Sequence, residues 1–207
     1  MVGPSGCGKS TLLRVLAGLL LPTRGQVKFR GDSPRIGMVF QLSNLMPWRS
    51  VRENIILPLE LDGTDSATAH AKAQDLIELV GLQGFEENLP RDLSGGMAQR
   101  VALARSLVHD PDILLLDEPF ASLDALTRDR MGTELLRIWG ARQKTVIMVT
   151  HSISEAILLA DRVLVLTQRP GSIKLDMDVN LPRPRVEEMR YTPEFGEMAK
   201  KLKDAIE

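Results

Sequence analysis

A single cysteine, Cys7, leaves no pair for an internal disulfide and fits a reducing compartment. Charge of one sign is not in excess either. With 26 basic and 27 acidic residues the formal net charge is -1, so no global basic field argues for a nucleic-acid partner. No apolar run approaches the ~18 residues needed to span a bilayer; the longest, such as Ile113 to Leu116, have the length of a core strand. Met1 leads almost directly into a Gly-rich motif, without the basic and apolar prelude of a signal peptide. Internal repeats and low-complexity stretches are missing too. The expectation is a soluble, intracellular chain whose link to a membrane runs through a partner.

What is present is a globular composition, 43% hydrophobic and 26% charged over 207 residues, enough for one domain with a sizeable core. Short β-rich runs alternate with helical periods, which argues an α/β layer architecture. A helix is expected over Ser10–Leu21. Short strands follow at Gln26–Arg30 and Ile36–Phe40, separated by Gly31, Asp32 and Pro34. Helices are expected over Val51–Leu61, Ser66–Val80 and Ser94–Val108. Strands return at Ile113–Leu116, Thr145–Val149 and Arg162–Thr167, with helices between them. Arg169-Pro170-Gly171-Ser172 reads as a turn and Glu194–Ile206 as a last amphipathic helix. The near-continuous apolar runs ending at Leu116 and Val149 suit parallel strands covered on both faces. The α/β core therefore occupies about 1–42 and 109–207, interrupted by a helical insert over about 43–108.

Gly3-Pro4-Ser5-Gly6-Cys7-Gly8-Lys9-Ser10, followed by Thr11, matches a phosphate-binding P-loop at every fixed position. Glycines at 3, 6 and 8 let backbone N–H groups wrap phosphates as an anion nest. The helix that follows adds its positive dipole end. Lys9 can reach the β- and γ-phosphates, and the Ser10 hydroxyl can ligate Mg²⁺. Cys7 is either a small loop residue or a thiol whose pKa the electropositive loop lowers.

The run Ile113-Leu114-Leu115-Leu116 ends in Asp117-Glu118-Pro119. Ligands sit at the carboxyl ends of parallel strands, which places Asp117 to hold Mg²⁺. In an extended chain Glu118 points to the opposite face, which makes it the candidate general base for the attacking water.

Between these motifs lies Leu93-Ser94-Gly95-Gly96-Met97-Ala98-Gln99-Arg100, which resembles the signature motif of ATP-binding-cassette (ABC) transporter ATPases. Gln41, after Met38-Val39-Phe40, resembles the family's Q-loop glutamine. Ala121-Ser122-Leu123-Asp124 resembles its D-loop, and His151, after Val149-Thr150, its switch histidine. Five ordered motifs cover most of the chain. The resemblance implies a P-loop NTPase core with a parallel sheet and an inserted helical subdomain, which binds ATP and Mg²⁺ and hydrolyses ATP.

It also implies roles for single residues. Ser94, Gly95 and Gly96 would face the γ-phosphate of the opposite subunit in a head-to-tail homodimer, or simply cap a helix. Gln41 would sense Mg²⁺ and the attacking water, or be an exposed strand-end amide. Asp124 would cross the dimer interface, or cap the next helix. His151 would contact the γ-phosphate and hold the water with Glu118; His70 and His109 read as surface histidines.

A narrower resemblance rests on Leu45-Met46-Pro47-Trp48-Arg49-Ser50-Val51, Glu53-Asn54, Leu57-Pro58-Leu59, Arg169-Pro170-Gly171 and Leu181-Pro182-Arg183-Pro184-Arg185. These look like the nitrate/sulfonate/taurine importer subgroup. That implies transmembrane permease subunits as partners, a periplasmic or extracellular solute-binding protein acting indirectly, and a peripheral place at the cytoplasmic face of the membrane. Trp48 would then be an interface residue; its alternative is a core or subdomain aromatic. Alternatives for the whole chain are a soluble non-transport ABC ATPase and a non-catalytic fragment.

A P-loop ordinarily follows a buried strand, yet only Met1 and Val2 precede Gly3. The resemblance implies upstream strands and an adenine-stacking aromatic, so an N-terminal truncation is expected, with sheet edges exposed beside the loop.

Overall fold

The computed structural model, which describes residues 1–29 and 33–207, alternates strands and helices. By its contacts the chain divides into two units, Met1–Val27 with Ile147–Glu207, and Lys28–Val146.

In the first unit, helix α1 spans Lys9–Leu16 and buries Lys9 and Leu13. It is shorter than the expected Ser10–Leu21. Gly18, at φ 72, stops it, with the Gly18 N–H donating to the Val15 carbonyl and the Leu19 N–H to that of Arg14. This is the helix-ending arrangement that glycine favours because it carries no Cβ.

The last strands of the chain are β4 (Arg162–Leu166) and β5 (Ile173–Asp178), an antiparallel pair with a register shift at Val165/Leu166. The sequence reading missed β5, although its Ile-Lys-Leu-Asp-Met-Asp alternates strictly between apolar and charged residues, a period-2 signal; only Met177 is buried. Met1 and Val2 lie beside β4. The Val2 N–H donates to the Leu164 carbonyl, and Leu166 returns a bond to Val2. On the other side the Thr150 N–H donates to the Met1 carbonyl, just beyond strand β3 (Thr145–Val149), which straddles the division between the units. Val2 is fully buried, so this short segment is paired on both sides. Helix α6 (Ile153–Leu159) and helix α7 (Pro193–Ile206) pack together, and α7 buries Phe195 and Leu202.

The second unit holds β1 (Ile36–Val39) and β2 (Ile113–Asp117), paired in parallel from Ile36↔Ile113 to Val39↔Leu116. Leu114, Leu115 and Leu116 are all buried, as a parallel strand covered on both faces requires. Helices α2 (Val51–Leu61), α3 (Ser66–Leu79) and α4 (Gly95–Leu107) form a helical layer, with α4 also against β1. A Cβ on Gly37 would stand 2.6 Å from the Ser106 carbonyl oxygen, so only glycine lets β1 approach the end of α4 this closely. Helix α5 (Ala125–Arg142) follows β2.

The strand expected at Gln26–Arg30 is absent over 26–29, while Arg30 lies outside the described residues. Val27 and Phe29 are 37% and 38% exposed, so no apolar face is covered there to hold a strand.

Candidate functional site

In the first unit, residues 3–8 form a loop running into α1. Gly3, Gly6 and Gly8 have φ of 150, 75 and 107, conformations that a side chain strains. Side chains would find open space at Gly6 and Gly8, but a Cβ on Gly3 would come 2.7 Å from the Leu166 carbonyl oxygen. The Lys9 ammonium is buried and donates to the carbonyls of Gly3 at 2.7 Å and Pro4 at 2.9 Å, with the Cys7 sulfur 3.7 Å away. The loop thus folds around its own lysine, with a helix N-terminus behind it. Donors, cation and steric freedom all suit an anionic phosphate chain.

His151 stands in the same unit, exposed, in a bracketed turn. The Thr150 hydroxyl donates to Glu155 Oε2 at 2.5 Å and accepts the Ser152 N–H at 3.0 Å, while Ser152 caps α6 through the Glu155 N–H. Thr150 also donates its N–H to Met1, so the chain entering the loop and the chain presenting His151 are tied together. The sequence reading did not single out Thr150 or Glu155.

In the second unit the register Val39↔Leu116 brings the carboxyl ends of β1 and β2 out together. Gln41 lies just past one end; Asp117, buried, closes the other. Glu118 is a correction to the alternation argument. Its φ is 47, left-handed, and its carbonyl accepts the Ala121 N–H in a turn. The chain turns at Glu118, so the alternation of an extended strand does not describe its side chain. A non-glycine residue held there is strained, the kind of outlier that clusters at functional sites.

Ser94 caps α4, accepting the Met97 N–H at 3.3 Å. A Cβ on Gly96 would lie 3.0 Å from Thr127 Cγ2, and one on Gly95 3.4 Å from Leu123 Cδ2. Gly95 and Gly96 therefore pack against Leu123 and Thr127, which flank Asp124 at the start of α5. Asp124 caps α5 through the Thr127 N–H at 3.0 Å. Hydrogen bonds from Thr127, side chain first and then backbone, hold its carboxyl below the usual carboxylate range.

Trp48 is 72% exposed, which removes its core alternative. The backbone around it is pinned from beneath. Asn54, fully buried on α2, accepts the Met46 N–H at 2.8 Å and donates to the carbonyls of Met46, Arg49 and Ser50. Arg105 on α4 donates to Ser43 and Asn44 carbonyls, and burial lowers its pKa from the ordinary value. Gln99 reaches the Phe40 carbonyl at 3.4 Å. A polar residue at a buried helical position was the available signal for Asn54.

Among the described residues no helix is long and apolar enough to cross a membrane. A phosphate loop opening a helix, in a chain with parallel strands and an inserted helical layer, defines an α/β P-loop NTPase.

Comparison with known proteins narrows the class. The ABC transporter family profile matches residues 1–121. An uncharacterized ABC transporter ATP-binding protein of Methanocaldococcus jannaschii is 51% identical over 98% of this chain and 76% of its own length. A taurine import ATP-binding protein of Roseobacter denitrificans is 42% identical over 100% of this chain and 80% of that protein. An aliphatic sulfonates import ATP-binding protein of Bacillus cereus is 42% identical over 100% and 82%. Among solved structures, a dimeric ATP-binding cassette in a post-hydrolysis state bound to ADP and Pi is similar at a TM-score of 0.72 and 31% identity, covering 87% of this chain and 84% of that one. The chain belongs to the ABC transporter family, as an ATPase.

Proposed function

We propose that the chain is the ATP-hydrolysing subunit of an importer for small anions of the sulfonate, taurine or nitrate type. It works as a head-to-tail homodimer docked peripherally on permease subunits at the cytoplasmic face of the membrane, with a solute-binding protein delivering cargo outside. The substrate class follows the taurine and sulfonate import relatives. The observation that carries the coupling role is Trp48, a large exposed aromatic on a backbone held by buried Asn54 and half-buried Arg105. A rigid, apolar projection of this kind suits a protein interface.

In hydrolysis, the loop Gly3, Pro4, Ser5, Gly6, Cys7 and Gly8, in which every residue but Pro4 carries a backbone N–H, holds the phosphates together with Lys9, Ser10 and Thr11. Ser10, Gln41 and Asp117 would hold Mg²⁺, which when bound neutralises charge on the phosphate oxygens. Water attacks the γ-phosphorus as the bond to the β–γ bridging oxygen breaks and ADP leaves. Glu118 accepts the proton of that water, and Gln41 and His151 orient the water and the γ-phosphate. Ser94, Gly95, Gly96 and Asp124 of one copy complete the site of the other, so closure depends on nucleotide.

The test is Trp48→Ala in the assembled transporter. Basal ATPase activity should persist while transport per ATP falls. Unimpaired transport overturns the docking role.

A further inference from the structure

The phosphate loop has an outer wall that its motif does not include: the end of β4 and the turn joining it to β5, residues 167–172. Three contacts connect them. The Leu166 carbonyl fills the space where a Gly3 side chain would stand. Arg169 Nε donates to the Gly6 carbonyl at 2.8 Å. A Cβ on Gly171 would come 2.6 Å from the Cys7 carbonyl oxygen, so a bare glycine backbone closes the wall there.

The turn is built to hold this position. The Thr167 hydroxyl donates to the Pro170 carbonyl and accepts the Ser172 N–H at 2.9 Å, and the Thr167 N–H donates to the Ser172 carbonyl. Arg169 is thus presented on a turn with internal bonds rather than on a slack loop.

What the contacts do follows from the peptide plane. The C=O and N–H of a trans peptide point in opposite directions. With the Gly6 and Cys7 carbonyls turned to the wall, the N–H groups of Cys7 and Gly8 turn to the loop's interior. The Cys7 N–H itself donates to the Pro4 carbonyl at 3.4 Å, the same carbonyl that holds the Lys9 ammonium, so the Gly6–Cys7 peptide is bonded at both its ends and the Gly8 N–H is the one left for a phosphate. Glycines at 6 and 8 would otherwise sample a wide range of backbone conformations. A bond from a guanidinium is also of the stronger, charge-assisted kind.

We propose that Arg169 is a positioning residue for nucleotide binding. It locks the Gly6–Cys7 peptide so that the loop keeps its turn and the Gly8 N–H faces the phosphates, and it adds a fixed cation to the loop's outer side. The role rests on the phosphate-loop assignment above. Because it prepares the loop before ATP arrives, it acts on ground state and transition state alike, and its loss belongs in KM rather than kcat.

The experiment uses Arg169→Ala, Arg169→Gln and Arg169→Lys in the purified chain. It reads Kd for MgADP by calorimetry, KM and kcat from phosphate release, and the melting temperature without nucleotide. Arg169→Ala should raise Kd and KM about tenfold, the worth of one charge-assisted hydrogen bond. Its kcat should stay within about twofold, and the nucleotide-free melting temperature should not move. Arg169→Lys, which keeps a charged donor, should recover part of the affinity, and Arg169→Gln less. Wild-type Kd and KM in Arg169→Ala overturn the role of Arg169 alone. A lower nucleotide-free melting temperature with kcat and KM falling together reveals a hairpin support only, and also overturns it. A wild-type chain that fails to bind MgADP overturns the phosphate-loop assignment, and this role with it.

Discussion

Replacing Asn54 with alanine separates the scaffold of the Trp48 loop from the tryptophan it presents. Asn54 is fully buried, and its Oδ1 accepts the Met46 N–H at 2.8 Å. Its Nδ2 lies 3.2, 3.0 and 3.0 Å from the carbonyls of Met46, Arg49 and Ser50. An amide nitrogen has two hydrogens, so these contacts amount to three full bonds rather than four. At about 1 kcal/mol net each, and with the loop carbonyls left short of donors, the loss is about 3 kcal/mol. For a chain of this size that corresponds to a fall of about 6–12 °C in melting temperature. Trp48, at 72% exposure, should cost less than about 0.5 kcal/mol when truncated. Thermal melts of both variants followed by circular dichroism, with basal phosphate release alongside, make the comparison. Asn54→Ala melting within about 2 °C of wild type, or Trp48→Ala falling as far as Asn54→Ala, refutes the division of labour.

Lys9→Ala should abolish calorimetrically detectable ATP binding, since the buried ammonium held by Gly3 and Pro4 is the loop's mobile countercharge; unchanged affinity counts against the loop. Arg185→Ala should destabilise the first unit by about 3 kcal/mol or more in urea melts. Its side chain is 1% exposed and satisfies the Ile157, Leu158 and Ala160 carbonyls at the end of α6. Ser50→Ala should cost about 1 kcal/mol by the same measurement, because Ser50 and Glu53 cap α2 reciprocally.

The parts legible in the sequence are those where a local rule forces the residue type. The glycines at 3, 6 and 8 mark the loop because the observed backbone there is left-handed or close-packed. Helix α2 spans the residues expected of it, Val51–Leu61, because the Ser50–Glu53 capping box fixes its start. Legibility fails where distant partners decide. The arginine that braces Gly6 is 163 residues away from it in sequence. The local conformation of Glu118 escaped too, since alternation describes a strand and β2 ends one residue earlier.

The catalytic reading meets its most direct test in Glu118→Gln, which keeps the shape and hydrogen bonding of a side chain held at φ 47 while removing its basicity. Phosphoryl transfer to water needs a group that takes the water's proton, and losing such a base costs about 10²–10⁴ in rate. ATP affinity by calorimetry and phosphate release in a single turnover are the quantities to measure. Retained binding, hydrolysis slowed by that factor and a dimer trapped around ATP are expected; hydrolysis at the wild-type rate contradicts the role of Glu118.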